Sequence, residues 1–328
     1  MRFALDAGQR EFARSLDAML TAADTLAVTR AWGAGDHAPG RAVWQRLADA
    51  GVFALAVPQE YEGLGPLPAE TAVAFVELGR HAVAGPAVET VAAAALLSRL
   101  AALGETASAE RFLPALASGG TSATLTLPDG GPYAVDPHVA DIVLAVDEAG
   151  LRLAPGHARV RRSLDPARRL AAPLPGGEPL AKGPSVTEAA RHATRWAALA
   201  TAAQSLGVGL ALLDRTVAHV RQRTQFGAPI GSFQAVKHRL ADVLVALEFA
   251  RPLVFGAALT MAPGDVAAAK VATSDAAYGA ARAALQLHGA IGYTAEFDLA
   301  LWLTRARVLR SAYGGPGLWR GRVVTAWE

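Results

Sequence analysis

Hydrophobic and polar positions follow two different periods along this chain. Over residues 1–118, apolar side chains return every three or four positions, the spacing of helices that bury one face. Helices are predicted at residues 6–21, 41–50 (carrying Trp44 and Leu47 before a stop at Gly51), 68–80, 87–103 and 108–117, the last ended by Gly119-Gly120. Between residues 119 and 185 the period shortens to two. Residues 122–127 (SATLTL), 141–146 (DIVLAV), 151–153 and 170–174 read as strands, separated by Gly- and Pro-rich turns at 128–131, 150, 155–156 and 173–179. From residue 186 the helical period returns, with segments predicted at 187–223, 232–260, 265–287 and 297–312 and with Asp265 as N-cap of the third. The expected fold is mostly α with a small central β domain: an N-terminal helical domain over 1–118, a short β domain over 119–185 and a C-terminal four-helix bundle over 186–328.

Composition narrows this picture. With 52% hydrophobic and 18% charged residues in 328, the chain is globular rather than disordered. Its net charge of +2 gives little reason to expect nucleic acid as a partner, although the pI is about 9.1. Positive charge is carried by arginine, with lysine only at Lys182, Lys237 and Lys270. The absence of cysteine removes disulfides, thiolate metal sites and a cysteine nucleophile within this chain. The first twenty residues carry acids and lack the apolar core of a signal peptide. The Ala-rich runs at 91–103 and 196–213 read as too short or too interrupted to span a bilayer. The expectation is a cytoplasmic protein without a membrane partner.

The chemistry concentrates in residues 221–234, RQRTQFGAPIGSFQ, followed by AVKHRLADVLVALEFAR. Gly227, Pro229 and Gly231 interrupt the helical period, and Phe233, Val236, Leu240, Val243, Leu244 and Leu247 resume it. The turn gathers Arg221, Arg223, Gln225 and Gln234 beside Phe226, and a guanidinium matches two phosphate oxygens at once. On pattern alone this is equally a solvated basic corner between two helices. A second stretch, QLHGAIGYTAEF at 286–297, brings the small residues Gly289, Ala290 and Gly292 together, where a backbone can approach a ligand or simply cap a helix. His288 reads as a packed helix-end ring as readily as a ligand contact. Glu60, Tyr61 and Glu62 read as a polar turn.

The words R-x-x-F-G-x-P-I-x-x-F-Q-x-V-x-x-x-L-A-D, with E-x-A-R further on, resemble the signature of the acyl-CoA dehydrogenase family. LADAGVFALAVPQEYEGLGPLPAETAVAFVELGRHAVAGP, HVADIVLAV and SLDPARR are similar to further family phrases, so the resemblance runs over most of the chain. It implies a flavoprotein fold in which the hairpin and the Gln286–Ala290 stretch reach the FAD of a neighbouring subunit. By that resemblance Arg223, Gln225, Phe226, Gln234, Gln286, Gly289 and Ala290 are cofactor-binding. The implied reaction removes an α-proton from an acyl thioester while the β-hydrogen leaves as hydride. It needs a desolvated carboxylate within reach and donors for the enolate oxygen.

Two departures stand out. Where the family has a T-E-P-x-x-G-S-D loop this chain has LTLPDGGPY, and no tryptophan occurs in the β region to supply the W-I-T strand. The Y-E-G-T loop that carries the usual glutamate is replaced by Tyr313-Gly314-Gly315-Pro316-Gly317-Leu318, with Gly314 at the glutamate position. The alternative family location, on the helix before the hairpin, falls near residues 196–198, where there is no acid. Glu188 is more than two turns away, and Glu296, Glu248 and Asp242 sit at structural positions of the signature. No catalytic residue is therefore assigned. The elements that serve a neighbour's FAD are kept and those that serve the chain's own are lost. This resembles the shorter, base-less subunit of heteromeric dehydrogenases of actinobacterial steroid side-chain degradation. The implied partner is a sister subunit in an α2β2 assembly that binds the acyl-CoA, with an electron-transfer flavoprotein as acceptor. A homo-oligomeric enzyme with a relocated base and a non-catalytic scaffold remain the alternatives.

Overall fold

The computed structural model describes residues 5–326. They open with helices α1 (Ala7–Ala22), α2 (Thr25–Ala34), α3 (Ala38–Asp49), α4 (Pro68–Arg80), α5 (Ala87–Ala102) and α6 (Ala107–Ala117). Asp6 starts α1 with a reciprocal cap: its carboxylate accepts from the Gln9 amide at 2.8 Å, and the Gln9 side chain accepts from the Asp6 amide at 3.1 Å. Helix α2 was not expected from the pattern. Its buried face is Thr25, Thr29 and Trp32, so the period is written partly in threonine. Burial of Thr29 is balanced by its hydroxyl, which donates to the Ala82 carbonyl at 2.9 Å.

The central region holds strands β1 (Ala123–Thr126), β2 (Ala134–Val135), β3 (Ile142–Asp147), β4 (Gly150–Leu153), β5 (Arg161–Arg162), β6 (Arg169–Ala171) and β7 (Glu178–Ala181). One sheet has the order β1-β3-β4-β7 and the other β2-β6-β5. The β1–β3 pair is parallel, with Ala123 opposite Ile142, and the remaining pairs are antiparallel. The strand expected at 170–174 is shorter and shifted, and β7 lies in a stretch read as turn because of Pro179. That proline is tolerated because β7 is an edge strand, paired to β4 alone.

The chain then runs through α7 (Pro184–Gln222), the short strands β8 (Thr224–Gln225) and β9 (Ala228–Pro229), α8 (Gln234–Thr260), α9 (Pro263–His288), α10 (Leu299–Leu309) and α11 (Pro316–Thr325). Helix α7 is the common spine, packed against α4, α5, α8, α9 and α10. Glycines let α4 and α7 touch backbone to backbone: a Cβ on Gly207 would lie 1.9 Å from the Val76 carbonyl oxygen, and one on Gly79 would lie 2.1 Å from that of Gln204. Helix α11 adds a fifth helix to the four expected. It was missed because only Trp319 on it is buried, so no apolar period exists to read. Asp265 is not the N-cap expected of it. Helix α9 begins two residues earlier, after Ala262, and the Asp265 carboxylate accepts from the Thr260 hydroxyl at 2.6 Å.

By length and composition alone, α7 and α8 are long and apolar enough to cross a membrane, which the sequence reading did not anticipate. The apolar stretch of α7 is entirely covered by neighbouring helices, whereas only 39% of that of α8 is buried. The uncovered face of α8 includes Leu244, Val245, Phe249 and Leu253, with Phe249 75% exposed.

Candidate functional site

The hairpin between α7 and α8 is built around its tightest point. Arg223 follows the last turn of α7, its amide donating to the His219 carbonyl at 2.9 Å. Strands β8 and β9 then pair, Gln225 opposite Ala228, leaving Phe226 and Gly227 as a two-residue tip with φ of +54° and +78°. Positive φ at both positions is the primed turn that matches strand twist. Glycine adopts it freely, but a phenylalanine there is strained by roughly 1–3 kcal/mol. The ring gains no burial in return: Phe226 is 94% exposed and meets Phe233 edge-on at 6.3 Å. The Ile230 amide donates to the Arg223 carbonyl at 2.8 Å, so the loop is closed on the arginine's own backbone.

The second stretch arrives at the same end of the bundle. His288, near the end of α9, stacks on His219 near the end of α7, with ring centroids 4.1 Å apart and planes inclined by 23°. Its Nδ1 lies 2.8 Å from the Ala284 carbonyl, which makes it the buried helix-end ring of the plainer reading. Burial, then the facing His288 and Arg223, lower the pKa of His219, and burial lowers that of His288. Gln286 and Ala290 are exposed beside this stack, and Gly289 is half-buried with φ +65°. Arg223, Gln225, Phe226 and Gln234 are exposed too. Among the described residues neither Arg221 nor Arg223 has a carboxylate partner. Two unneutralised guanidiniums and a solvated aromatic ring on one end of a helical bundle are suited to an anionic, partly aromatic group held outside this chain.

A second polar assembly is buried where α5 begins, between the β region and the turn after α10. The Tyr313 hydroxyl donates to Glu89 Oε1 at 3.0 Å, and the Arg168 guanidinium stands 3.9 Å from the same oxygen. Arg305 donates to the Asp165 carboxylate and, at 2.7 Å, to the Val83 carbonyl. Burial raises the pKa of Glu89 against the opposing pull of Arg168, and burial pushes Asp136 up to about 7 although the Arg169 amide donates to it. The cavity left among these groups is about 30 Å3, enough for a water or two. An adjoining hollow of about 200 Å3 is lined by Leu125, Leu127, Tyr133, Leu170 and Tyr313. That falls below the roughly 300–1,000 Å3 of pockets that enclose drug-sized ligands.

Comparison with known proteins agrees with the hairpin's signature. Residues 187–323 match the acyl-CoA dehydrogenase C-terminal domain and residues 7–120 the acyl-CoA dehydrogenase N-terminal domain. The acyl-CoA dehydrogenase IpdE2 of Mycobacterium tuberculosis is 37% identical over 284 residues, covering 85% of each chain. This chain belongs to the acyl-CoA dehydrogenase family. Among solved structures, a chain of the ChsE4-ChsE5 complex from M. tuberculosis superposes with a TM-score of 0.83 at 24% identity, over 100% of this chain and 99% of that one. A variant of the Tcur3481-Tcur3483 steroid ACAD gives 0.81 at 23% identity, over 98% and 97%.

Gly314, expected from sequence at the position of the family's glutamate, has little room for any side chain. Gly314 has φ +109°, and a Cβ there would lie 2.5 Å from Leu318 Cδ2 and 3.1 Å from Trp319 Nε1. The indole is fixed in turn, donating to the Tyr313 carbonyl at 3.1 Å. The other acids weighed from sequence lie elsewhere: Glu188 pairs with Arg99 at 3.2 Å, Glu248 with Arg251 at 3.0 Å, and Asp242 and Glu296 are exposed. Residues 196–198 are buried and acid-free, Trp196 donating to His192 at 3.1 Å. The sequence reading overlooked Glu89, Arg168 and Tyr313. The available signal was a single glutamate in the otherwise apolar stretch AVETVAAAALL.

Proposed function

We propose that this chain is one subunit of a heteromeric, FAD-dependent acyl-CoA dehydrogenase, lending part of the FAD site to a sister subunit and lacking the catalytic glutamate itself. One observation carries the reading. The exposed end of the bundle keeps an Arg223 with no carboxylate partner among the described residues and a strained, solvated Phe226, at the same end as Gln286–Ala290, while Gly314 has no room for a side chain beside Leu318 and Trp319. Bound FAD would accept the hydride in the desaturation of an acyl-CoA. Arg223 would neutralise phosphate charge, Phe226 would cover an apolar face from water, and Gln225, Gln234 and Gln286 would supply hydrogen bonds. Gly289 and Ala290 would leave room for close backbone approach.

The sister subunit, in this reading, binds the acyl-CoA and holds the base, in a cytoplasmic α2β2 assembly that passes electrons to an electron-transfer flavoprotein. The three segments 1–118, 119–185 and 186–328 act as its domains. The uncovered apolar face of α8 supports assembly, because a solitary chain would leave Phe249, Val245 and Leu253 in water. A steroid-derived acyl-CoA is the proposed substrate class, supported by the fold shared with the steroid ACAD. The test is a visible absorption spectrum of this chain purified alone and after co-expression with candidate sister subunits. Flavin only in the co-expressed sample, at about one per pair of chains and removed by Arg223→Gln, is expected. Stoichiometric flavin in the lone chain would overturn it.

Glu89 favours a second reading, a homo-oligomeric enzyme with a relocated base. It is a buried carboxylate whose pKa burial raises, as a base for a weakly acidic proton requires. A yellow lone chain bleached by acyl-CoA, with bleaching abolished in Glu89→Gln, would establish it. The absence of flavin from every sample would leave the scaffold.

A further inference from the structure

Helix α2 lies among the N-terminal helices, yet one of its side chains reaches the segment that follows Gln286–Ala290. Arg30 Nε and Nη2 both donate to Asp298 Oδ1, at 3.3 and 2.9 Å. Nη2 also donates to the Glu296 carbonyl at 2.8 Å, and Nη1 to the Ala295 carbonyl at 3.1 Å. All three guanidinium nitrogens are thus engaged by one short segment that is 265 to 268 positions away in sequence. An isolated exposed ion pair stabilises little. A planar fork bound to two carbonyls and a carboxylate does something else, because it fixes the position and the orientation of the backbone it holds. Asp298 forgoes a local role for this contact. It stands at the N-cap of α10, where an aspartate ordinarily accepts from a first-turn amide, but its side chain caps nothing there and is turned to Arg30.

The residue between Glu296 and Asp298 carries the contact inward. Phe297 packs on His288 with ring centroids 5.5 Å apart, and His288 in turn stacks on His219. Gly289 follows His288 directly, at φ +65° and with open space where a Cβ would stand. The turn Gly289–Tyr293 leaves Ala290, Ile291 and Tyr293 exposed. Its placement therefore depends on its two ends, the histidine stack on one side and the Arg30 clamp on the other.

We propose that Arg30 is a positioning residue for the flavin-lending end of the bundle: it holds residues 295–298, and through Phe297 and His288 the Gln286–Ala290 stretch, where a bound FAD would meet them. This rests on the FAD-sharing reading above and adds that an N-terminal helix, which carries none of the residues assigned to the flavin, sets the affinity for it. When a stretch adopts its binding arrangement only part of the time, apparent affinity falls by the fraction that stays competent. The test titrates FAD into the flavin-stripped co-expressed complex and follows backbone amide exchange in parallel. Arg30→Gln should raise the flavin Kd about tenfold and speed exchange over residues 289–298, with exchange in α4, α5 and α7 unchanged. Arg30→Lys, which keeps the charge and loses the fork, should fall between wild type and Arg30→Gln. Asp298→Ala leaves the two carbonyl acceptors in place, so it should weaken flavin binding less and add little to Arg30→Gln. Saturating FAD should restore full flavin content to every variant, which it would not do for a misfolded chain. A wild-type Kd in Arg30→Gln, beside an Arg223→Gln complex that loses its flavin, overturns the clamp and leaves the shared site standing. Flavin retained by both variants overturns both. Faster exchange throughout the N-terminal helices also overturns the clamp, because Arg30 would then be structural alone.

Discussion

Placing a glutamate at Gly314 is the most direct test of how tightly the turn after α10 packs against α11. The substitution Gly314→Glu places an L-residue at φ +109°, a backbone conformation that disfavours any Cβ by about 1–3 kcal/mol. The new Cβ would also sit 2.5 Å from Leu318 Cδ2 and 3.1 Å from Trp319 Nε1. Leu318 is 40% exposed and can swing aside, whereas Trp319 is buried and hydrogen-bonded. Overpacking of this kind adds about 1–3 kcal/mol, so a total loss of roughly 2–6 kcal/mol is expected. Thermal unfolding should register it as a melting temperature several degrees lower. Gly314→Ala should reproduce most of the loss, and Gly314→Glu combined with Leu318→Ala should recover part of it. The lone variant should also gain no acyl-CoA-dependent flavin bleaching, because its side chain enters the space held by Leu318 and Trp319. A Gly314→Glu chain of wild-type stability that bleaches with acyl-CoA would refute the packing argument.

Three further outcomes follow from the same structure. Phe226→Asn should keep the hairpin, since Asn tolerates positive φ, and leave stability unchanged or raised by up to about 1 kcal/mol, while flavin retention by the co-purified complex falls; a loss of stability would contradict the assigned strain. Burial pushes Glu77 up from 4.5 to about 7, so the folded chain holds this proton more tightly than the unfolded one. That contribution to stability is full below 4.5 and lost as pH rises through about 7, by about 3 kcal/mol. Glu77→Gln should therefore be the more stable form at pH 8, and denaturant titrations of both chains at pH 4.5 and 8 would disprove this if the difference between them did not change. Gly207→Ala should cost about 3 kcal/mol or more, measured by urea unfolding, because its Cβ would meet the Val76 carbonyl oxygen at 1.9 Å, a backbone atom that moves only with α4.

What the sequence by itself determined is what short-range pattern encodes. The long helices announced themselves because α1, α4, α5 and α7 to α10 bury apolar residues at helical spacing or along their whole length. The hairpin words and the glycine at position 314 carried the family and the departure from it within a few residues of chain. Helices α2 and α11 escaped because their buried faces are threonine with one tryptophan, and one tryptophan alone, which no hydrophobic period reports. Strand β7 escaped because whether Pro179 is tolerable depends on having a single neighbour, a property of the sheet.

Tertiary structure alone decided the sites. Glu89 and Tyr313 are 224 positions apart, and their hydrogen bond exists because α5 and α10 both pack on α7. The same spine brings His219 against His288 and so unites the hairpin and the Gln286–Ala290 stretch at one end of the bundle. Whether Arg30 reaches Asp298, and whether a Cβ at 314 has room, are questions of distance between segments that no local pattern encodes. Burial and charge pairing act through space, and in this protein they separate an exposed, positively charged bundle end from a buried polar assembly around Glu89.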